Sequence, residues 1–161
     1  MNNNLTCCFT GHRNIPVNQY EEIKITLKKE IIKLINNGVH YFGTGGALGF
    51  DTIAAMTVLE LKNEYPYIKL ILVLPCHNQT CLWRKEDIAI YELIKSKCDK
   101  YVYTSDNYYK GCMMKRNKHL VDYSQYCICY CSEKKGGTAF TVNYANKKHL
   151  HIINIAEITK K

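Results

Sequence analysis

Short apolar runs alternate along this chain with longer segments of helical period, and almost no residues are left over to join them. Leu5–Phe9 reads as a first strand ending at Thr10-Gly11-His12-Arg13. Tyr20, Ile23, Leu27, Ile31 and Leu34 recur at helical spacing, and Gly38 is placed to stop that helix. Val39–Phe42 is a short second strand, residues 43–49 form a glycine-rich loop, and Asp51 opens a helix toward Asn63. Ile68–Leu74 is apolar throughout, as a strand buried on both faces must be. Beyond Pro75-Cys76 the pattern predicts a helix from Trp83 to Lys97, a strand at 101–103 and a helix over 113–122. A strand at 126–131, a helix over 138–147 and a sixth strand at 151–155 complete it. Strands alternating with crossover helices require parallel pairing. The expected fold is α/β, a Rossmann-like parallel sheet of about six strands with helices on both faces, and 161 residues suit a single domain.

A hydrophobic fraction of 47% excludes a disordered chain. The longest apolar run, Leu70–Leu74, is strand-sized, so no membrane span or membrane partner is expected. Met1-Asn2-Asn3-Asn4 lacks the basic segment and apolar stretch of a secretory signal, which points to the cytoplasm. The nine cysteines then read as free thiols acting as small hydrophobes. Cys127, Cys129 and Cys131 alternate onto one strand face, whereas the adjacent Cys7 and Cys8 point to opposite faces. Cys76, His77 and Cys81 come nearest to a metal set but lack tight ligand spacing, so no metal and no resident cofactor is expected.

Lysine and arginine outnumber acids by 22 to 14, a formal charge of +8 that favours an anionic partner. Part of that excess lies on solvent faces, for example Lys24, Lys28, Lys29 and Lys33 of the first helix and the Lys160-Lys161 tail. In open parallel sheets, ligands bind beyond the carboxyl ends of the strands. The chemically notable residues fall at those ends: Gly11, His12 and Arg13 after the first strand, and Thr44, Gly45, Gly46, Ala47 and Gly49 after the second. Pro75 follows the third strand, and Gly136-Gly137-Thr138 the fifth, with Thr141 one turn on. Glycines let a backbone approach a phosphate, and the helix that follows offers it N-terminal amides. The first loop matches neither the P-loop spacing nor a dinucleotide fingerprint. Asp51 fits a ribose contact or a helix cap equally well. Arg13 and Arg116 offer guanidinium forks suited to phosphate, with a structural ion pair as the alternative. Trp83 could stack on a base with Gln79 beside it, or pack in the core. No catalytic constellation is recognisable from spacing.

At these residues the chain resembles a known family. Cys7-Cys8-Phe9-Thr10-Gly11-His12-Arg13, the run from Gly45 to Asp51, Pro75-Cys76 with Gln79 and Trp83, Arg116-Asn117, Asp122 and Gly136-Gly137-Thr138 are similar, in order, to the YpsA/YoqJ-like branch of the SLOG superfamily. The superfamily is named from the Smf/DprA and Lonely Guy proteins. The resemblance implies a Rossmann-like fold, a pocket for nucleotides or nucleotide-derived ligands, and self-association as a homo-oligomer. It also implies one of three activities: N-glycosidic cleavage of a nucleotide, binding of single-stranded DNA, or sensing of an NAD-derived signal such as cyclic ADP-ribose.

Lonely Guy enzymes carry Pro-Gly-Gly-x-Gly-Thr-x-x-Glu. Aligned on Gly137-Thr138, this chain has Glu133-Lys134-Lys135 in place of Pro-Gly-Gly and Thr141 in place of the catalytic glutamate. Loss of that carboxylate implies binding without turnover, because an oxocarbenium-like transition state needs a nearby negative group. The expected ligand is a nucleotide-derived small molecule of ADP-ribose, cyclic ADP-ribose or cyclic oligonucleotide type. It would be sensed or sequestered as a signal, as a phage anti-defence sponge would do. A phosphoribohydrolase using another acid, with Asp51 the first candidate, and a nucleic-acid binder are the alternatives.

Overall fold

The computed structural model describes residues 5–159, so the expectations placed on Met1–Asn4 and Lys160-Lys161 lie outside the described residues. Six strands, β1 (Leu5–Gly11), β2 (Val39–Thr44), β3 (Lys69–Leu74), β4 (Lys100–Tyr103), β5 (Tyr126–Tyr130) and β6 (His151–Asn154), form one sheet. All pair in parallel, in the order β4-β3-β2-β1-β5-β6. The chain builds outward from β1 in one direction through β4, then returns to lay β5 on the other side of β1. The strand order therefore reverses between β1 and β5.

Five helices connect the strands, α1 (Tyr20–Asn36), α2 (Phe50–Leu61), α3 (Lys85–Lys97), α4 (Cys112–Asp122) and α5 (Gly137–Lys147), and a short α6 (Ile155–Ile158) follows β6. Strand side chains alternate between two apolar layers. Cys7, Phe9, Phe42, Leu70, Leu72, Leu74 and Ile128 pack against α1, α2, α3 and α6. Cys8, Val73, Cys127 and Cys129 pack on the opposite face with Leu120 and Val121 of α4 and Ala145 of α5. The adjacent Cys7 and Cys8 thus do divide between the faces. Helix α1 turns Ile23, Leu27, Ile31, Leu34 and Ile35 inward on one stripe, with Glu21 and Glu22 in its first turn where the helix dipole favours negative charge.

The differences from the sequence expectation lie at element ends. Strand β1 runs to Gly11 because its last two residues still pair with Cys129 and Tyr130. Strand β5 stops at Tyr130, one residue early. There the Asn154 side chain accepts from the Cys131 amide (3.1 Å) and donates to the Cys131 carbonyl (2.9 Å), replacing the next strand pair. The same Asn154 oxygen accepts from the Ala156 amide (3.1 Å) and caps α6, a helical turn where a strand end is expected. Helix α3 begins at Lys85 rather than Trp83, because turns closed by the Cys81 and Trp83 amides occupy the residues before it. A 3-10 turn at Val17–Gln19 leads into α1.

Burial pushes the Cys129 thiol up to about 12, so it stays protonated and apolar at neutral pH. Replacing it by serine buries a hydroxyl in a layer built of small apolar groups. Cys129→Ser should cost about 1–3 kcal/mol, read as a fall in the urea midpoint, and Cys129→Ala should cost less than the serine variant. Equal losses would mean that volume rather than polarity governs this layer.

Candidate functional site

A cleft of about 780 Å³ opens beyond the carboxyl ends of β1 and β5, where the strand order reverses. Ligands collect at this position in open α/β sheets, because the loops from the two halves diverge there. His12 and Arg13 form one wall, residues 130–133 the floor, and the 3-10 turn with α6 the far side. His12 accepts at Nε2 from the Ser132 amide (2.9 Å) and lies edge-on to the Tyr130 ring. Tyr130 donates from its hydroxyl to Gln19 Oε1 (2.7 Å), and burial, with the Glu22 charge second, raises its pKa. Arg13 is exposed and makes no ion pair among the described residues. Glu22, Glu133 and Glu157 also line the cleft.

The loop after β2 is closed by protein. Arg116, only 4% exposed, donates from Nη1 to the Gly45 carbonyl and from Nε to Asn117 Oδ1 (2.7 Å). A Cβ at Gly45 would overlap the guanidinium, and one at Gly49 would overlap the carbonyls of His12 and Arg13. Gly49 also has a φ of 76°, which side-chain-bearing residues rarely adopt. Gly11 is held as close to Phe50, and Gly46 to Leu74. Thr44 is buried, and its hydroxyl lies 3.5 Å from the Asp51 carbonyl. The glycines here serve close packing, and the α2 N-terminus is already occupied, since the Phe50 amide donates to the His12 carbonyl (3.1 Å).

Asp51 is drawn into the same loop. Its carboxylate accepts from the Ala47 amide (3.2 Å) and is buried beside the Arg116 charge. Burial raises its pKa, while Arg116, the Ala47 and Gly45 amides and Arg13 pull the other way. Burial correspondingly lowers the pKa of Arg116, which Asp51 partly restores. On the far side of the loop, Gln79 donates to the Gly45 carbonyl (3.3 Å), Pro75 is buried, and Trp83 meets Tyr91 edge-on. None of Pro75, Gln79 and Trp83 lines the cleft. Of the three residues weighed as a metal set, Cys76 is buried, His77 stacks on Tyr103, and Cys81 is exposed.

The loop after β5 is open. A Cβ at Gly136 or Gly137 would meet nothing within 4 Å, and α5 has no acidic residue in its first turn. Thr141 donates to the Gly137 carbonyl (2.9 Å) and accepts from Asn117 Nδ2 (3.0 Å). A continuous hydrogen-bonded chain therefore runs Gly45–Arg116–Asn117–Thr141–Gly137 and ties the two glycine loops together through α4.

Residues 7–160 match the model of YpsA, described as the YspA SLOG family. The chain belongs to that family. It is 32% identical over 129 residues to a UPF0398 protein of Brevibacillus brevis, covering 78% of this chain and 69% of that one. It is 32% identical over 142 residues to the uncharacterized SPbeta prophage-derived protein YoqJ of Bacillus subtilis, covering 80% and 83%. Among solved structures, DNA processing protein A of Helicobacter pylori superposes with a TM-score of 0.66 at 20% identity. The Streptococcus pneumoniae protein of that name gives 0.68 at 15%. Each superposition covers 92% of this chain but only 63% and 49% of those proteins, and at such identities the likeness shows the fold alone. For this member of the YpsA SLOG family, the ordered motifs correspond to two glycine loops and the arginine braced between them.

Sequence reasoning misses Gln19, Glu22, Tyr130, Ser132 and Glu157, which line the cleft with His12 and Arg13. Ser132 has a signal, since it follows a strand end, whereas Glu157 becomes relevant only once β6 lies beside β5.

Removing the Arg116 charge while keeping bulk should leave Asp51 buried without its countercharge. Arg116→Met is expected to cost about 3 kcal/mol near pH 7.5. Its folded-state Asp51 pKa rises further above the unfolded value, so the stability Asp51 contributes is present in acid and lost as pH rises through the folded pKa. Relative to wild type, the deficit should therefore shrink between pH 7.5 and pH 5 in urea titrations. A deficit constant with pH would assign the loss to packing alone.

Proposed function

We propose that this SLOG protein binds a nucleotide-derived phosphate ligand at the strand ends and holds it intact, as a sensor or sequestering agent. The observation that carries this reading is the open N-terminus of α5. Its glycines are unobstructed, no carboxylate of its own competes for the amides, and the preceding loop leads from the cleft that Arg13 borders without an ion pair. Free backbone amides at a helix start favour an anion, and a guanidinium matches phosphate geometry. The ligand class is ADP-ribose, cyclic ADP-ribose or a cyclic oligonucleotide, and Thr138, next after the two glycines, would add a hydroxyl to the amides.

Holding is favoured over hydrolysis. Thr141 stands where the enzymes of the superfamily have a carboxylate, and it is tied to Asn117 and to the Gly137 carbonyl. Asp51, the first alternative acid, is buried on the Ala47 amide. The similarity to a prophage-derived protein supports a role on the phage side of nucleotide-signal defence, as a sponge.

The test is native mass spectrometry with ADP-ribose, cyclic ADP-ribose isomers, NAD, AMP and cyclic oligonucleotides, followed by analysis of what the denatured protein releases. Intact ligand is the expected result, and the same spectra read the expected self-association. Gly137→Asp should fold normally, since its side chain enters open space at a helix start where negative charge is favourable by about 0.3–1 kcal/mol. It should nonetheless lose ligand, as should Arg13→Ala. Release of free base with ribose phosphate would replace this reading by the hydrolase, and unchanged affinity in both variants would remove the site.

A further inference from the structure

The two faces of the sheet are unequally covered. Helices α1, α2, α3 and α6 pack on one face, and only α4 and α5 on the other. On that second face α4 lies over β1 and β3, and α5 over β1, β5 and β6, which leaves the β4 side open. A parallel sheet ordinarily buries both faces. Here Ile71 of β3 and Val102 of β4 stay half-buried. With Val73, which pairs with Val102, and Leu120 of α4 they line a groove of about 640 Å³ between α4 and the edge strand. The groove shares no residue with the strand-end cleft. Its cations are Lys100 of β4 and Lys115 of α4, both exposed and in no ion pair among the described residues. No acidic side chain lines it. Its hydroxyls are largely spent within the protein. Thr104 donates to the Leu74 carbonyl (3.3 Å), Ser124 donates to the Leu120 carbonyl (2.7 Å), and Tyr103 accepts from Lys95 (2.7 Å).

We propose that this groove binds a medium-chain carboxylate, its alkyl chain laid along Ile71, Val73 and Val102 and its head drawn by Lys100 and Lys115. What the groove has left to offer is aliphatic surface edged by positive charge, and an amphipathic anion matches both. A sugar or nucleotide needs directional hydrogen-bond partners, and those are already used. A phosphate would meet two separate point charges and no guanidinium fork. An alkyl carboxylate needs neither, since burial of its methylenes supplies the affinity and a lysine suffices for the head. Residues 100–104 span about 13 Å of strand, which matches an extended chain of about ten carbons.

The experiment is isothermal titration calorimetry of the full chain with hexanoate, octanoate and decanoate below their micellar range. Affinity should rise about threefold for each methylene added. Decyltrimethylammonium, with the same chain and the opposite charge, should bind at least about tenfold more weakly. Lys100→Glu/Lys115→Glu changes two exposed side chains and should keep the fold while weakening decanoate about tenfold or more. Val102→Glu, which sets a carboxylate among the aliphatic groups, should abolish binding. Reversing Lys24 and Lys29 on α1 should leave decanoate affinity unchanged. The proposal is overturned by no binding of decanoate, by affinity that does not depend on chain length, or by equal binding of the cationic amphiphile. It is overturned as well by equal losses from the α1 reversals. A dimer in sedimentation that Val102→Glu splits would assign the groove to a second copy of the chain instead. Failure here leaves nucleotide binding at the cleft untouched, since that is read with Gly137→Asp and Arg13→Ala.

Discussion

A single guanidinium sets the geometry at the strand ends. Arg116 rises from α4 on one face of the sheet and passes its donors to the Gly45 carbonyl beyond β2 and to Asn117, which reaches Thr141 of α5. Three crossover units are thereby fastened at one point. A buried cation is costly to desolvate, and here the cost is offset by directional hydrogen bonds and by the nearby charge of Asp51. Lysine would be a poor substitute, because a single ammonium lacks the spread of the Nε and Nη1 donors that reach Asn117 and Gly45. The close approach of Gly45 follows from the same arrangement, since any side chain there would displace the guanidinium.

The two glycine loops look alike in sequence and differ in use. After β2, the missing side chains let protein pack against protein: Arg116 at Gly45, Leu74 at Gly46, and the His12 and Arg13 carbonyls at Gly49. After β5, they leave space. Composition could not separate these cases, because what fills the space beside a glycine comes from a distant part of the chain. Arg116 lies 71 positions from Gly45, and its partnership with that loop has no local signature.

The alternation of apolar runs and helical stripes was enough to read all six strands and the helices between them, because each strand carries its burial in its own residues. Cys7 and Cys8 could be assigned to opposite faces for the same reason. The strand order, by contrast, is a choice among tertiary pairings, and with it went the cleft. Tyr130 reads as one more residue of an apolar strand, while Glu22 and Glu157 read as ordinary solvent-facing acids. Only the return of β5 to the side of β1, with β6 beyond it, brings Tyr130 and Glu157 into one cleft with His12, Arg13 and Glu22. Strand β5 ends one residue before its apolar run does, because an asparagine side chain, rather than a backbone pair, takes over at Cys131.

That asparagine has a consequence for biosynthesis. One wall of the cleft comes from His12 and Arg13, which leave the ribosome well before the residues that face them. The opposite wall comes from Ala156, Glu157 and Thr159, which the Asn154 clamp sets in place. Until Ala156, Glu157 and Thr159 have emerged, a nascent chain lacks that side of the cleft whatever its strands have done. The cleft is therefore completed in a single step, and a chain halted before Asn154 would carry His12 and Arg13 without the residues that enclose the space beside them.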